Sequence, residues 1–322
     1  MPPAPPPAPP PPPLTIVDTC PADPGAFADA ARRAFGRDRP ELAPGHFAWK
    51  HRVGMPPPRL VSLMDGDRIV GSAAIVHRRL RQGDALLQAG ELVDLFLVPE
   101  HRGFAAVRRL YAALDRRLRD APASRAIYAL PNPNSKPLNA RFLKLADTLS
   151  LTPRLGIGSP VAGRHTVRSR TLHDPAADED LAAVARWLEG VDGIAWTADA
   201  LRDRLSSPAF GYALHRSDTG LLVSSPRRER GLPVVLVCAV FVAPGAPLPR
   251  ADLRALLGAA CRHHRRPLFV YVGLNRALAA LPGHPLPGFA GGRAKTVQTR
   301  LAQDDRNPLR FDRFEALDCD LG

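Results

Sequence analysis

Apolar positions along this chain recur with two periods, and the order in which those periods follow one another repeats. "PGAFADAARRAF" places Phe27, Ala30, Ala31 and Ala34 on one stripe, the spacing of an amphipathic helix. "HFAWKHRV" predicts a second, shorter helix that carries Phe47 and Trp49. The pattern then shortens to that of a β-meander. Leu60 to Met64 is a strand, "DGD" at 65–67 a hairpin turn, Arg68 to His77 the next strand, and Gly83-Asp84 the next turn. Glu91 to Val98 is the most apolar run of this region, which predicts a central strand buried on both faces. After it the helical period returns in Val107, Leu110, Tyr111, Leu114 and Leu118, and "RAIYALPN" is a short buried strand closed by Pro131.

The same succession starts again further on. Leu181 to Leu188 and Ala198 to Leu205 read as helices, and "FGYALHR", "TGLLVSS" and "LPVVLVCAVFVAP" as strands. Leu253, Leu256, Leu257, Ala260 and Cys261 form a helical stripe, and "PLFVYVGL" is a strand after it. Two copies of one α/β unit follow, each a mostly antiparallel meander leading into a βαβ-like element. The expected division is a polyproline tail over 1–13, a first domain over 14–155 and a second over 156–322, with a linker near Pro153 to Asp178. Proline lacks the N–H that helices and ladders need, so the tail is expected as a polyproline II spacer or docking peptide, or as a disordered end without a partner.

Composition narrows the function classes. At 322 residues and 45% hydrophobic content the chain can bury ample core. No apolar run is long enough for a membrane span and no signal peptide is visible, so a cytoplasmic location is expected. Cys20, Cys238, Cys261 and Cys319 lie far apart, which argues against a disulfide framework or a zinc site. The net charge of +13 suggests nucleic acid at first sight. Arginine supplies nearly all of it, is spread along the chain and has no interleaved aromatic residues, which points away from a nucleic-acid partner and towards a coding bias. A basic entrance for an anionic ligand stays open. His263-His264 beside Arg265-Arg266 reads as the exposed end of a helix, and Trp49, Trp187 and Trp196 as packing residues.

One stretch carries chemistry. In "ELVDLFLVPEHRGFAAVRRLYAAL" a buried strand hands over, through a bare glycine and paired alanines, to an amphipathic helix. Together with "GDRIVGSAAIV" before it and "AIYALPNPNS" after it, this stretch resembles the GNAT superfamily of acyl-CoA-dependent N-acyltransferases, in the tandem form whose C-terminal copy is degenerate. The resemblance covers residues 47–150. It implies acetyl-CoA or another acyl-CoA as co-substrate, no metal, and a small-molecule or peptide amine as acceptor. It implies that backbone amides of the turn Arg102, Gly103, Phe104, Ala105, Ala106 and Val107 cradle the pyrophosphate, and that the strand backbone from about Leu95 through Leu97 to Val98 meets the thioester and pantetheine arm. Ala105 and Val107 stand where the family has smaller residues. Asn134, or alternatively Asn132, would contact the pantetheine arm, or simply serve the turn. In the second copy Pro247 and Pro249 occupy the phosphate turn and delete its donors, so no cofactor is expected there.

Direct attack by an amine needs no covalent nucleophile, but a carboxylate beside the strand commonly serves as base. Asp94 and Glu91 are the acids of this strand, expected on opposite faces by alternation. Asp94, the more central, is the expected catalytic or acceptor-binding acid, with a structural carboxylate bonded to a neighbouring helix as the alternative; Glu91 is second. Phe142 stands where the family often has a general-acid tyrosine, and Tyr128 lies within a strand, so no general acid is assigned. Two other readings stay open: a non-catalytic binding or scaffold protein, and a transferase that takes aminoacyl groups from tRNA, which would give the positive charge a purpose.

Overall fold

Aliphatic stripes and turn residues place the elements close to where the periods put them. The structure, a computed structural model, describes residues 14–18, 23–36, 39–52, 59–119, 126–159, 166–288, 292–301 and 309–319. The polyproline tail and Cys20 lie outside these residues. After β1 (Thr15–Val17), α1 (Pro24–Phe35) opens on Asp23, whose side chain accepts from the Gly25 N–H, and ends on Gly36 at φ +64°, a left-handed cap that glycine takes without strain. Its buried stripe includes Phe27, Ala30, Ala31 and Ala34. The short α2 (Pro44–Lys50) buries His46, Phe47, Trp49 and Lys50.

The meander is β2 (Arg59–Asp65), β3 (Arg68–Gln82) and β4 (Ala85–Leu97), followed by α3 (Phe104–Arg119) and β5 (Ala126–Ala129). The β3–β4 hairpin is longer than the apolar pattern suggests. Its outer part is held by the other half of the chain: Leu80 pairs with Ile194, and the Gly83 N–H at the tip donates to Asp192 Oδ1 at 2.6 Å. α1 and α2 cover one face of β4 through Val93 and Phe96, and α3 covers the other through Leu92. β4 is therefore buried on both faces, as its composition requires.

A second unit of the same kind follows the short α4 (Ser135–Leu138), β6 (Ala146–Leu151), β7 (Arg154–Ile157) and β8 (Arg168–Arg170). It comprises α5 (Ala177–Trp187), β9 (Gly193–Ile194), α6 (Ala198–Leu205), β10 (Ala213–Arg216), β11 (Gly220–Glu229), β12 (Leu232–Val242), α7 (Arg250–His263) and β13 (Leu268–Tyr271). β14 (Gly273–Asn275), β15 (His284–Pro285), β16 (Lys295–Leu301) and β17 (Arg313–Glu315) follow; of these only β15 joins the second sheet, while β14, β16 and β17, together with β9, pair in the first.

The two units exchange strands. β16, from the C-terminal half, lies between β5 and β6 of the first sheet, with Thr299 opposite Tyr128 and Val297 opposite Leu149. β7, from the N-terminal half, lies between β13 and β15 of the second. A boundary at 155/156 therefore falls inside a strand, and the segment expected as linker supplies β7 and β8 to the second sheet. One apolar core runs through both units, joining Leu80, Tyr128 and Leu151 to Leu181, Trp196, Phe241 and Phe314.

Candidate active site

β4 and β5 run parallel and paired only as far as Leu92 opposite Ala129. Beyond that point they part, because β4 bulges. On β3 the step from Ser72 to Ala74 is matched on β4 by the longer step from Phe96 back to Val93, so β4 holds one extra residue. Asp94 lies in that slip at φ +51°, a left-handed conformation for a residue with a side chain. A cavity of about 250 Å³ opens at the parting. Leu92 to Leu95 and Ala129 to Asn132 form its walls, with Phe35, Leu42, His46 and Lys50 from the helices above.

The bulge revises the expectation that Glu91 and Asp94 face opposite ways. An inserted residue shifts the alternation by one, and both residues line this one cavity. Both are also engaged. Glu91 is 2% exposed and ion-paired at 2.8 Å with Arg78, which lies over the Trp196 ring. Asp94 Oδ1 accepts from Lys50 Nζ at 2.8 Å and Oδ2 lies 3.3 Å from His51 Nε2. Burial by itself would raise the Asp94 pKa, but the Lys50 ammonium and His51 outweigh it and hold the carboxyl well below the usual carboxylate range. Lys50, His51 and His46 were not singled out by the sequence; their only signal was a basic run at the end of an amphipathic helix.

The strand leads directly to the turn. The Val98 N–H is spent on Val70 O at 2.9 Å, so strand alternation turns the backbone of Leu97 to the opposite edge, which β5 does not pair beyond Leu92, and Leu95, inside the bulge, lines the cavity. Arg102 does not reach outward. Its guanidinium donates to Leu97 O and to Ala34 O, tying the turn to the strand and to the end of α1. Gly103, Phe104 and Ala105 are exposed, Ala106 is buried and Val107 half-buried, and the Val107 N–H already bonds Gly103 O at 3.1 Å. The first amides of α3 have no intrahelical acceptor, and the positive end of the helix dipole lies with them. Nothing lies within 4 Å of a Cβ built on Gly103, so the fold itself does not demand glycine there.

Beyond β5, Asn132 Oδ1 accepts from the backbone N–H groups of Asn134 and Ser135, both at 2.9 Å. Asn132 and Ser135 line the cavity; Asn134 is exposed and outside its lining. Asn139, not singled out by the sequence, is buried at the cavity wall and accepts from the Tyr111 hydroxyl at 2.8 Å. Tyr128 donates to Asp318 O at 2.8 Å deep in the core, and burial raises its pKa well above the usual value.

The second unit has the same slip but a closed edge. Cys238 is the extra residue of β12, with Val223 opposite Ala239 and Ser224 opposite Val237. There the strand's free edge is taken by the chain itself: the Val240 N–H donates to Glu315 Oε2 at 3.0 Å and Val240 O accepts from Asn275 Nδ2 at 2.7 Å. Pro249 immediately precedes α7, which has no side-chain cap.

The paired histidines differ from expectation. His263 is exposed, but His264 turns inward onto Ser224 at 2.8 Å, and Ser224 also meets His215 at 2.7 Å. Local periodicity could not show this, because the partners come from β10 and β11. Burial, then His263, His264 and Arg262, lower the His215 pKa to about 3, and burial lowers that of His264 to about 4. The folded state thus favours neutral rings, while the unfolded chain takes up protons below its ordinary histidine pKa of about 6.5. Stability should be level above that pH and fall on acidification towards pH 3, by about 1.4 kcal/mol per pH unit for His215 alone. Urea midpoints across this range check it, and a His215→Asn chain should show a flatter profile.

Among the described residues no group of three His, Cys, Asp or Glu could hold a metal ion, and no helix is long and apolar enough to cross a membrane. No family model and no curated protein matches the sequence. Solved structures do match in shape. A GCN5-related N-acetyltransferase from Kribbella flavida is similar at 15% identity and TM-score 0.58, over 89% of this chain and 72% of that one. A tandem GNAT protein from the clavulanic acid biosynthesis pathway is similar at 14% identity and TM-score 0.58, over 91% and 99%. Saccharomyces cerevisiae N-myristoyltransferase, solved with bound myristoyl-CoA, is similar at 8% identity and TM-score 0.63, over 95% and 83%.

Proposed function

We propose that this chain, which has the tandem GNAT fold, is an acyl-CoA-dependent N-acyltransferase whose donor is acetyl-CoA and whose acceptor is a small-molecule or peptide amine. The observation that carries the reading is a continuous track. Open amides at the start of α3 lead along the free edge of β4 at Leu97 to a cavity, lined by Leu95, at the Asp94 bulge. The N-acetyltransferase and myristoyl-CoA-bound neighbours support it. The amides of Gly103 to Ala106 would hold the pyrophosphate, with Arg102 shaping the turn, and Asn132 would meet the pantetheine arm in place of Asn134.

In the reaction the neutral amine nitrogen attacks the thioester carbonyl carbon and the carbonyl electron pair moves onto oxygen, where edge amides at the bulge hold it. Collapse restores the carbonyl, breaks the C–S bond and releases the coenzyme A thiolate, which takes a proton from solvent. The nitrogen's surplus proton leaves to water in a cavity whose walls carry Glu41 and His46. The division into a cofactor-binding first domain and a second without cofactor fits the edge closed by Glu315 and Asn275. Calorimetry with acetyl-CoA should give one site per chain, and absence of binding at millimolar ligand would sink the reading. A panel of longer acyl-CoAs, compared by the rise each produces in thermal midpoint, reads the acyl length.

A further inference from the structure

We infer that Asp94 is a positioning residue of this site: gripped from α2 by Lys50 and His51, its carboxylate holds the left-handed bulge that aims the free edge of β4 at the thioester, and it does not itself take the proton. The inference rests on the acyltransferase reading and goes beyond it in assigning a role to one side chain.

Three observations converge. First, Asp94 at φ +51° is strained for a residue with a Cβ, and such a conformation persists only where surroundings over-determine it. Second, the surroundings do so. Lys50 and His51 engage one carboxylate oxygen each, with the three side chains all 10% exposed or less. The His51 ring is in turn wedged against Phe27 at 5.1 Å and Phe47 at 5.9 Å, so the grip is anchored in the core between α1 and α2. Third, the second unit has the same one-residue slip without the device. Its extra residue, Cys238, does not have a positive φ, and its thiol lies against Leu236 O. The clamp therefore belongs to the unit with the open edge. A carboxylate held ionised on both oxygens is poorly matched to accept a proton at neutral pH.

Turnover of acetyl-CoA with an accepting amine, followed across pH in wild type, Asp94→Asn, Asp94→Ala and Asp94→Gly, tests this. Asparagine tolerates the left-handed region and its amide oxygen can still accept from Lys50, so kcat should stay within about tenfold and the acid limb of the pH profile should keep its midpoint. Alanine loses both grip and tolerance and should lower kcat by about 100-fold or more. Glycine takes the positive φ freely and should recover part of what alanine loses, which keeps the test alive if the alanine chain does not fold. A loss of about 1,000-fold in Asp94→Asn together with loss of the acid limb, in a wild-type chain that turns over, would identify a general base and overturn the inference alone. A wild-type chain that turns over no acyl-CoA overturns the acyltransferase reading and this inference with it.

Discussion

Arg313→Met should destabilise the chain by about 3–5 kcal/mol, the typical cost of stripping the partner from buried carboxylates. Arg313 is 4% exposed and donates to Glu315 Oε2 at 2.9 Å and Asp318 Oδ1 at 2.7 Å, and both acids are fully buried. Around them the polar groups are interlocked. Trp196 Nε1 donates to Asp318 Oδ1, the Tyr128 hydroxyl to Asp318 O, and the Val240 N–H to Glu315. Methionine fills the volume but leaves two anions in a dry core that joins both sheets. Burial already pushes the Glu315 carboxyl up to about 7 against the pull of Arg313. Without that cation a proton is the remaining way to neutralise Glu315, so the penalty should be smaller at pH 5 than at pH 8. Urea unfolding at both pH values reads this out. A penalty under about 1 kcal/mol at pH 8 would show that the buried cluster is relieved some other way.

Ala105→Pro should weaken acyl-CoA binding by roughly 10- to 100-fold and leave stability nearly unchanged. Ala105 is exposed in the first turn of α3, where proline is sterically accepted and the N–H has no intrahelical partner. On the proposed reading, what proline would remove is a donor to pyrophosphate, and a hydrogen bond to a charged group contributes about 1.5–3 kcal/mol. The substitution copies into the first unit the proline chemistry of the second, at Pro247 and Pro249. Calorimetric titration with acetyl-CoA, paired with a thermal melt, separates the outcomes. Unaltered affinity would mean that the phosphates lie elsewhere; a collapsed melt would mean that the turn is structural. Gly103→Ala is the companion control for the fold, since its Cβ would meet open space.

Much of this was legible in local pattern. The stripe Phe27, Ala30, Ala31, Ala34 gave α1, and the continuous apolar run into Val98 gave a strand buried on both faces. The small residues after Arg102 marked the open turn. These features depend on neighbours a few positions away, which the periods of helix and strand report directly. The site was legible only in outline. Asp94 and Glu91 were visible as acids in an apolar strand, yet alternation put them on opposite faces because a bulge leaves no periodic trace. Lys50 and His51 were not singled out at all, and His264 was read with His263 as the exposed end of a helix.

By itself, then, the order of periods determined a twice-repeated α/β unit and the place of its strand-to-turn junction, since burial of apolar stripes fixes element type locally. Only the tertiary structure decided that β16 completes the first sheet and β7 the second, that Glu315 closes the second unit's edge, and that Asp94 answers to Lys50. Those are pairings between residues from tens to well over a hundred positions apart. A strand's sequence states that it needs a hydrogen-bonded edge, and a buried charge that it needs a counter-charge; neither states which one, because the partner is selected by the packing of the whole chain.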